Sequence, residues 1–283
     1  MVAEALLAAH GWEEGAVAIV PITTTGDVVQ DRPLAEIGGK ALWTKELDRA
    51  LRDQRIDMAV HSMKDVETER PHEFGFAAML PRADTRDRLI GAASLDELPR
   101  GARIGTSSPR RAAQLRARRP DLETLPIRGN VETRLDKVAR GDVDATLLAA
   151  AGLDRLGMPD IGSAIPDMLT APGQGAVGIE IIWDREDVRA LIAAIDDGSA
   201  HAAVRAEREF LLRLGGNCHS AVAARADVSS GRIEMAAEIL LPDGSEVQAR
   251  TMDLSASSNG RPADLANLLL ADASPALRAT FGA

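Results

Sequence analysis

The stretch from residue 103 to residue 150 constrains the fold most. Three short apolar runs, at 103–106, 122–127 and 145–150, alternate there with two segments of helical periodicity. The first helix is predicted to open at Ser107-Ser108-Pro109, a capping hydroxyl with a proline in the first turn, and to close at Pro120. The second is predicted over 131–140, after the turn Arg128-Gly129-Asn130. Strand–helix–strand alternation on this spacing predicts βαβ units over a parallel sheet.

The same reading extends outward. Residues 2–10 are predicted to form a helix stopped by Gly11, and 16–22 a strand. The polar stretch 23–39 reads as a long loop, whose length points to function rather than connection. A helix is expected over 44–52, strands over 56–60, 74–80 and 176–182, and helices over 185–196 and 199–214. Beyond Gly215 the pattern becomes β-rich, with runs at 221–226, 232–241 and 246–254, a hairpin signal at Asp243-Gly244 and a closing helix over 262–271. Α/β material is therefore followed by a small α+β unit.

No stretch approaches the ~18–20 apolar residues that cross a bilayer. The first ten residues lack a basic region and carry Glu4, unlike a signal peptide. The one cysteine, Cys218, excludes an internal disulfide and suits a reducing compartment. A soluble cytoplasmic protein is expected.

Charge narrows the function. The net charge is −10, which disfavours nucleic acid and anionic membrane as partners. Residues 100–155 nevertheless hold twelve Lys/Arg against seven Asp/Glu. Arg110, Arg111, Arg128, Arg134 and Arg155 sit beside Gly, Ser or Thr, or near predicted element boundaries. A solvated helix face has no reason to collect them there, whereas a small polyanionic ligand does.

Gly105-Thr106-Ser107-Ser108-Pro109-Arg110-Arg111 brings hydroxyls, a helix N-terminus and two guanidiniums to one strand end, which is the chemistry of an anion cradle. On spacing alone, a capped helix with two surface arginines is equally open. Arg128-Gly129, with Arg134 one turn into the next helix, repeats the logic, and ligands of open α/β sheets bind beyond the carboxyl ends of strands. His61-Ser62-Met63-Lys64-Asp65 marks another strand end. His61 reads as structural; Lys64 and Asp65 are either an exposed ion pair or, in a cleft, an acid/base or charge-stabilising pair. Five histidines and one cysteine show no metal-ligand spacing, so no metal site is expected. Cys218 follows a Gly215-Gly216-Asn217 turn, which favours a reactive or modified thiol over a core position.

Taken together, His61-Ser-Met-Lys-Asp-Val66, Gly105-Thr-Ser-Ser-Pro-Arg-Arg111, Arg128-Gly-Asn-Val-Glu-Thr-Arg134, Ala149-Ala-Ala-Gly-Leu-Asp-Arg-Leu-Gly157 and Pro172-Gly-Gln-Gly-Ala-Val-Gly-Ile-Glu180 resemble the porphobilinogen deaminase (hydroxymethylbilane synthase) family in order and spacing. Gly26-Asp27 through Gly38-Gly-Lys-Ala-Leu-Trp-Thr-Lys-Glu46 resembles that family's active-site loop. The resemblance implies two α/β domains like type II periplasmic binding proteins (1–85 with 175–197, and 86–174) and a C-terminal α+β domain (198–283). It implies a cytoplasmic, monomeric transferase that joins four porphobilinogens into hydroxymethylbilane, releasing ammonia, in tetrapyrrole (porphyrin, haem) biosynthesis. The primer would be a dipyrromethane cofactor in thioether linkage to Cys218. By the resemblance, Asp65 is the catalytic aspartate. Lys64, Thr106, Ser107, Ser108, Arg110, Arg111, Arg128, Gly129, Arg134 and Arg155 would bind the cofactor and growing chain, while Lys40 and Lys45 would bind substrate from the loop. No nucleic acid, membrane or metal partner is implied.

The family's usual first strand, with a Thr-Arg-x-Ser-x-Leu-Ala motif, has no counterpart in this sequence: either the true start lies upstream of Met1, or the first unit lacks a central strand and two ligand-binding residues. Two other readings stand beside the enzyme: a non-catalytic binder of small carboxylates, and a catalytically impaired, N-terminally truncated deaminase.

Overall fold

The computed structural model describes residues 1–24, 44–217, 219–255 and 260–282. In chain order the strands are β1 (Ala59–Ser62), β2 (Phe74–Met79), β3 (Asp87–Ile90), β4 (Arg103–Gly105), β5 (Glu123–Leu125), β6 (Ala145–Ala149), β7 (Ser163–Ile165), β8 (Val177–Ile182), β9 (Val222–Ser229), β10 (Arg232–Leu240) and β11 (Val247–Asp253). The helices are α1 (Val2–His10), α2 (Lys45–Arg52), α3 (Pro109–Arg118), α4 (Val131–Ala139), α5 (Ala150–Arg155), α6 (Glu186–Ile192), α7 (Gly198–Leu214), α8 (Pro262–Asp272) and α9 (Pro275–Ala279).

The strands form three sheets. In the first, β8 lies between β1 and β2 and runs antiparallel to both. Val2 and Leu6 of α1 and Val188 and Ile192 of α6 pack on Ile179 and Ile181 of β8. The second sheet has the order β5-β4-β6-β3-β7, with a core of Leu89, Ile104, Leu115 and Leu147. The third is the meander β9-β10-β11, against which α7 and α8 bury Phe210, Leu265 and Leu269 over Met235 and Ile239. Two α/β units followed by an α+β unit is the class expected from the sequence.

The parallel sheet holds only in part. β4 is parallel to β5 and β6, but β3 is antiparallel to β6 and β7. Residues 16–22 form no strand, and Ile19 and Val20 are 80% and 47% exposed. Their β-branched side chains favour extended backbone, but a strand persists only where a neighbour takes up its N–H and C=O groups. The strand expected at 56–60 sits at 59–62, which brings His61 into the ladder opposite Gly178.

The chain passes between the first and second sheets twice, through 80–86 and 166–176. These segments touch: Ala83 N donates to Gly175 O at 3.1 Å, and Arg82 Nε to Gln174 O at 3.1 Å. Both are fastened to the C-terminal unit by Glu207 of α7, which is fully buried. Its carboxylate accepts from Arg82 Nη1 and Nη2 (2.7 and 3.0 Å), from Gly173 N (2.7 Å) and from Ala226 N of β9 (2.7 Å).

Candidate active site

The order β5-β4-β6 makes the boundary between β4 and β6 a topological switch point, where the outgoing connections diverge and leave a crevice at the strand ends. The carboxyl end of β4 runs into Thr106-Ser107-Ser108 and the N-terminus of α3. Thr106 N donates to Leu125 O (2.8 Å), its Oγ1 accepts from Ser108 N (3.2 Å), and Ser107 Oγ donates to Ile127 O (2.5 Å). Ser108 caps α3 by accepting from Arg111 N. Beyond β5, Gly129 adopts φ 109°, and a Cβ there would lie 2.6 Å from the Thr133 side chain. Asn130 caps α4 through Thr133 N, and Arg134 Nε donates to Gly129 O at 2.9 Å. Glycine at 129 thus lets the turn and helix close together and sets Arg128 and Arg134 on one side of the strand end.

Arg110 and Arg111 turn inward onto a residue the motifs did not single out. Asp87, the first residue of β3, is fully buried. It accepts from Arg110 Nη2 (2.9 Å), Arg111 Nη2 (2.7 Å), Arg111 Nε (3.2 Å) and Gln174 Nε2 (2.8 Å). Burial alone would raise its pKa, but the two guanidiniums and these hydrogen bonds hold it well below the usual carboxylate range. Arg110, 3% exposed, also donates to Gln114 Oε1 and Leu169 O, so three of its hydrogen bonds lie inside the protein. Arg111 donates to Leu147 O at 2.8 Å and sits nearer the crevice, where its charge acts on Lys64 and Arg134.

The first unit meets this crevice with one turn of 3-10 helix, Met63–Asp65, which follows β1. Met63 is buried, and its N–H donates to Ala176 O at 3.1 Å. Gly173, at φ 73°, packs against the backbone, and a Cβ there would lie 3.0 Å from Lys64 N. Arg208 of α7 holds the next residues by donating to Glu67 O (2.6 Å) and Thr68 O (3.0 Å). Thr68 Oγ1 donates to Gly216 O at 3.2 Å, which ties this segment to the turn leading to position 218. His61 is structural, as read: it is buried, and its Nε2 lies 3.0 Å from Glu180 Oε2.

Electrostatics join the two sides. Lys64 is half-buried, and its pKa is lowered by burial and by Arg111 and Arg110, against the opposing pull of Asp65 and Asp87. Arg134 is lowered by burial, Arg111 and Arg128, and raised by Asp65. Lys64 and Arg134 therefore both lie in the field of Asp65, an exposed carboxylate without an ion-pair partner among the described residues, and Arg111 acts on both. With Arg110 and Arg111 paired to Asp87, Lys64 and Arg134 stand in a partly buried setting where Asp65 is the further opposing charge among the described residues. An anionic ligand relieves that arrangement, and the guanidiniums suit carboxylates in particular.

The remaining expected residues are less tightly grouped. Arg155 ends α5, is exposed, and donates from Nη2 to Gly175 O at 3.3 Å. Lys45, the first residue of α2, is exposed. Lys40 and Cys218 lie outside the described residues. Among the described residues, no His, Cys, Asp and Glu are grouped to hold a metal, and no helix is long and apolar enough to cross a membrane. Sequence reading missed Asp87, Gln174, Arg70, Glu180 and Glu207. Gln174 and Glu180 stand inside the 172–180 motif but are given no role by it, Asp87 and Glu207 are marked only by polarity in a strand and a helix, and Arg70 lies in a loop with no local signal.

The chain matches the family model described as "Porphobilinogen deaminase, dipyromethane cofactor binding domain" over residues 1–190, and that described as "Porphobilinogen deaminase, C-terminal domain" over 201–271. It belongs to the porphobilinogen deaminase family. The porphobilinogen deaminase of Sphingopyxis alaskensis is 54% identical over 289 residues, covering 99% of this chain and 91% of the relative. That of Paracoccus denitrificans is 50% identical, covering 86% of this chain and 80% of the relative, and that of Nitrobacter winogradskyi 44% identical, covering 99% and 88%. The solved VFT2 domain of Bordetella pertussis BvgS is similar at 15% identity and a TM-score of 0.41, over 74% of this chain and 81% of that one, too distant to add to the family assignment. The residues of the crevice, from Lys64 to Arg155, fall inside the cofactor-binding match, and position 218 falls inside the C-terminal match.

Proposed function

We infer that this chain is a transferase, a porphobilinogen deaminase that condenses four porphobilinogen molecules into hydroxymethylbilane with release of ammonia in tetrapyrrole biosynthesis. The observation that carries the site reading is the grouping of Lys64 and Arg134 in the field of one exposed carboxylate, Asp65, with Arg111 acting on both and Arg128 on Arg134. The donor set fits a dipyrromethane, whose rings carry carboxylate arms and pyrrole N–H groups. Bound through Cys218, that cofactor supplies the primer to which new pyrroles are joined.

The chain's own residues account for the rest. Lys64, Arg128 and Arg134 bind the acidic arms, joined by Arg111 through its outer donors. Thr106, Ser107 and Ser108 line the same edge at the N-terminus of α3. Arg155 lies at the crevice end of α5, and Gly129 gives the turn its conformation. Arg110 stands behind Arg111 and keeps Asp87 ionised. Asp65 accepts hydrogen bonds from pyrrole N–H groups and stabilises the positive charge that develops on a pyrrole as ammonia departs, an electrostatic role suited to a fixed carboxylate. Lys40 and Lys45 bind the incoming substrate's carboxylates. The domains divide as 1–85 with 175–197, 86–174 and 198–283, and the protein works in the cytoplasm as a monomer without nucleic-acid or membrane partners.

Asp65→Asn tests the assignment. Porphobilinogen consumption and ammonia release are expected to fall by at least ~100-fold, the scale at which removal of one transition-state stabiliser is felt. The mass added at Cys218 should be retained. Turnover within a few-fold of wild type would remove Asp65 from the mechanism.

A further inference from the structure

Arg70 lies outside every motif discussed so far, yet it joins three elements around the site. Its side chain is 8% exposed. Nε and Nη2 donate to Glu180 of β8 (2.8 and 2.9 Å), Nη2 also to Asp48 of α2 (2.5 Å), and Nη1 to Thr44 Oγ1 (3.0 Å) and Glu67 Oε2 (3.2 Å). Thr44 Oγ1 in turn donates to Glu67 Oε2 at 2.8 Å. Glu180 is held from its other side by His61 of β1, and Arg52 adds its field at Asp48. Thr44 is the N-cap of α2, and Lys45 is its first residue. Glu67 lies two residues beyond Asp65. The contacts of one guanidinium therefore fix the amino end of α2 against the turn that carries Lys64 and Asp65.

We propose that Arg70 is a positioning residue for the deaminase reaction: it acts through Thr44, Asp48 and Glu67 to hold Lys45 in fixed register with Lys64 and Asp65. The planar fork reaches four residues through five hydrogen bonds at once, whereas a lysine, a point charge on a flexible stem, cannot. The proposal rests on the reading that Lys45 contacts substrate, since a lost register matters only if both groups meet the same molecule. Small misplacements suffice, because a shift of about 1 Å can cost about 100-fold in rate.

Arg70→Lys keeps a cation among the three carboxylates, and Glu67→Gln, at a partly exposed position, loosens only the link to the Asp65 turn. Both are compared with wild type in the cofactor-loaded protein, in Lys45 and Lys45→Ala backgrounds. Arg70→Lys is expected to raise the KM for porphobilinogen about tenfold in the Lys45 background and less than twofold with Lys45→Ala, with Glu67→Gln moving the same way by a smaller factor. Independently of turnover, amides of 45–52 should exchange with deuterium at least tenfold faster in Arg70→Lys, while those of β9 and β10 keep their protection. Equal KM effects in both backgrounds would overturn the proposal. A Lys45→Ala protein with wild-type KM would instead sink the reading of Lys45; unchanged exchange over 45–52 would then overturn the placing of α2 by Arg70 as well.

Discussion

At Asp87 two arginines and a glutamine converge on one fully buried carboxylate, and the residue links the crevice to the crossing segments through Gln174. Removing one partner of a buried ion network leaves uncompensated charge, so Asp87→Asn is expected to destabilise the protein by about 3–5 kcal/mol at neutral pH, read from denaturant unfolding. A loss below ~1 kcal/mol would show that the two guanidiniums find other partners. Because the folded-state pKa of Asp87 is depressed, this stabilisation is present above the ordinary carboxylate range and is lost only as pH falls through the depressed value. Lys64 carries the opposite consequence. Burial and the neighbouring arginines lower its pKa, so it gives up its proton below the usual lysine value and its grip on carboxylates weakens earlier as pH rises. The KM for porphobilinogen should climb on the alkaline side, and Lys64→Arg should abolish that limb; a climb unchanged by the substitution would assign it elsewhere. The cluster of arginines was legible in the sequence as local charge against a −10 background. That Arg110 and Arg111 both turn inward was not, because the carboxylate that holds them, Asp87, lies more than twenty positions earlier in the chain.

Among the elements, those with internal signals were the ones read correctly. α3 and α4 carry their caps, Ser108 and Asn130, and α7 has the long apolar stripe that buries Val204, Phe210 and Leu214. β3 and β7 were missed because three or four residues beginning with Asp87 or Ser163 offer no periodicity; their partners β6 and each other define them. The run at 16–22 fails in the reverse direction, with strand composition but no ladder partner among the described residues. The turn after β5 is a sharper case of sequence dictating geometry. Gly129→Ala would place a methyl group against Thr133 in a conformation that L-residues rarely hold, at a cost of about 1–3 kcal/mol. Part of that cost should return in Gly129→Ala with Thr133→Ala, which removes the Thr133 Cγ2 and Oγ1 but leaves its Cβ 2.7 Å away, as thermal unfolding of the pair would show. Strict additivity of the two substitutions would mean that only backbone conformation and the remaining Cβ contact are at issue.

At the scale of the whole molecule, two crossing segments and the C-terminal helix α7 meet at Glu207, and Arg208 beside it grips the residues following Asp65. The third unit thus supports the crevice as well as presenting the turn at 215–217, which Thr68 ties to the first unit. Periodicity revealed the three kinds of layer, but not this junction, since nothing local marks a buried glutamate in a helix as a meeting point of four hydrogen bonds. The central claim is that the crevice serves a pyrrole chain tethered to the sulfur at 218. Intact mass under denaturing conditions, after incubation with porphobilinogen, tests it most directly. The account predicts a covalent increment of two linked pyrrole units that localises to Cys218 and disappears in Cys218→Ser; protein that stays at its polypeptide mass after exposure to the precursor would contradict it.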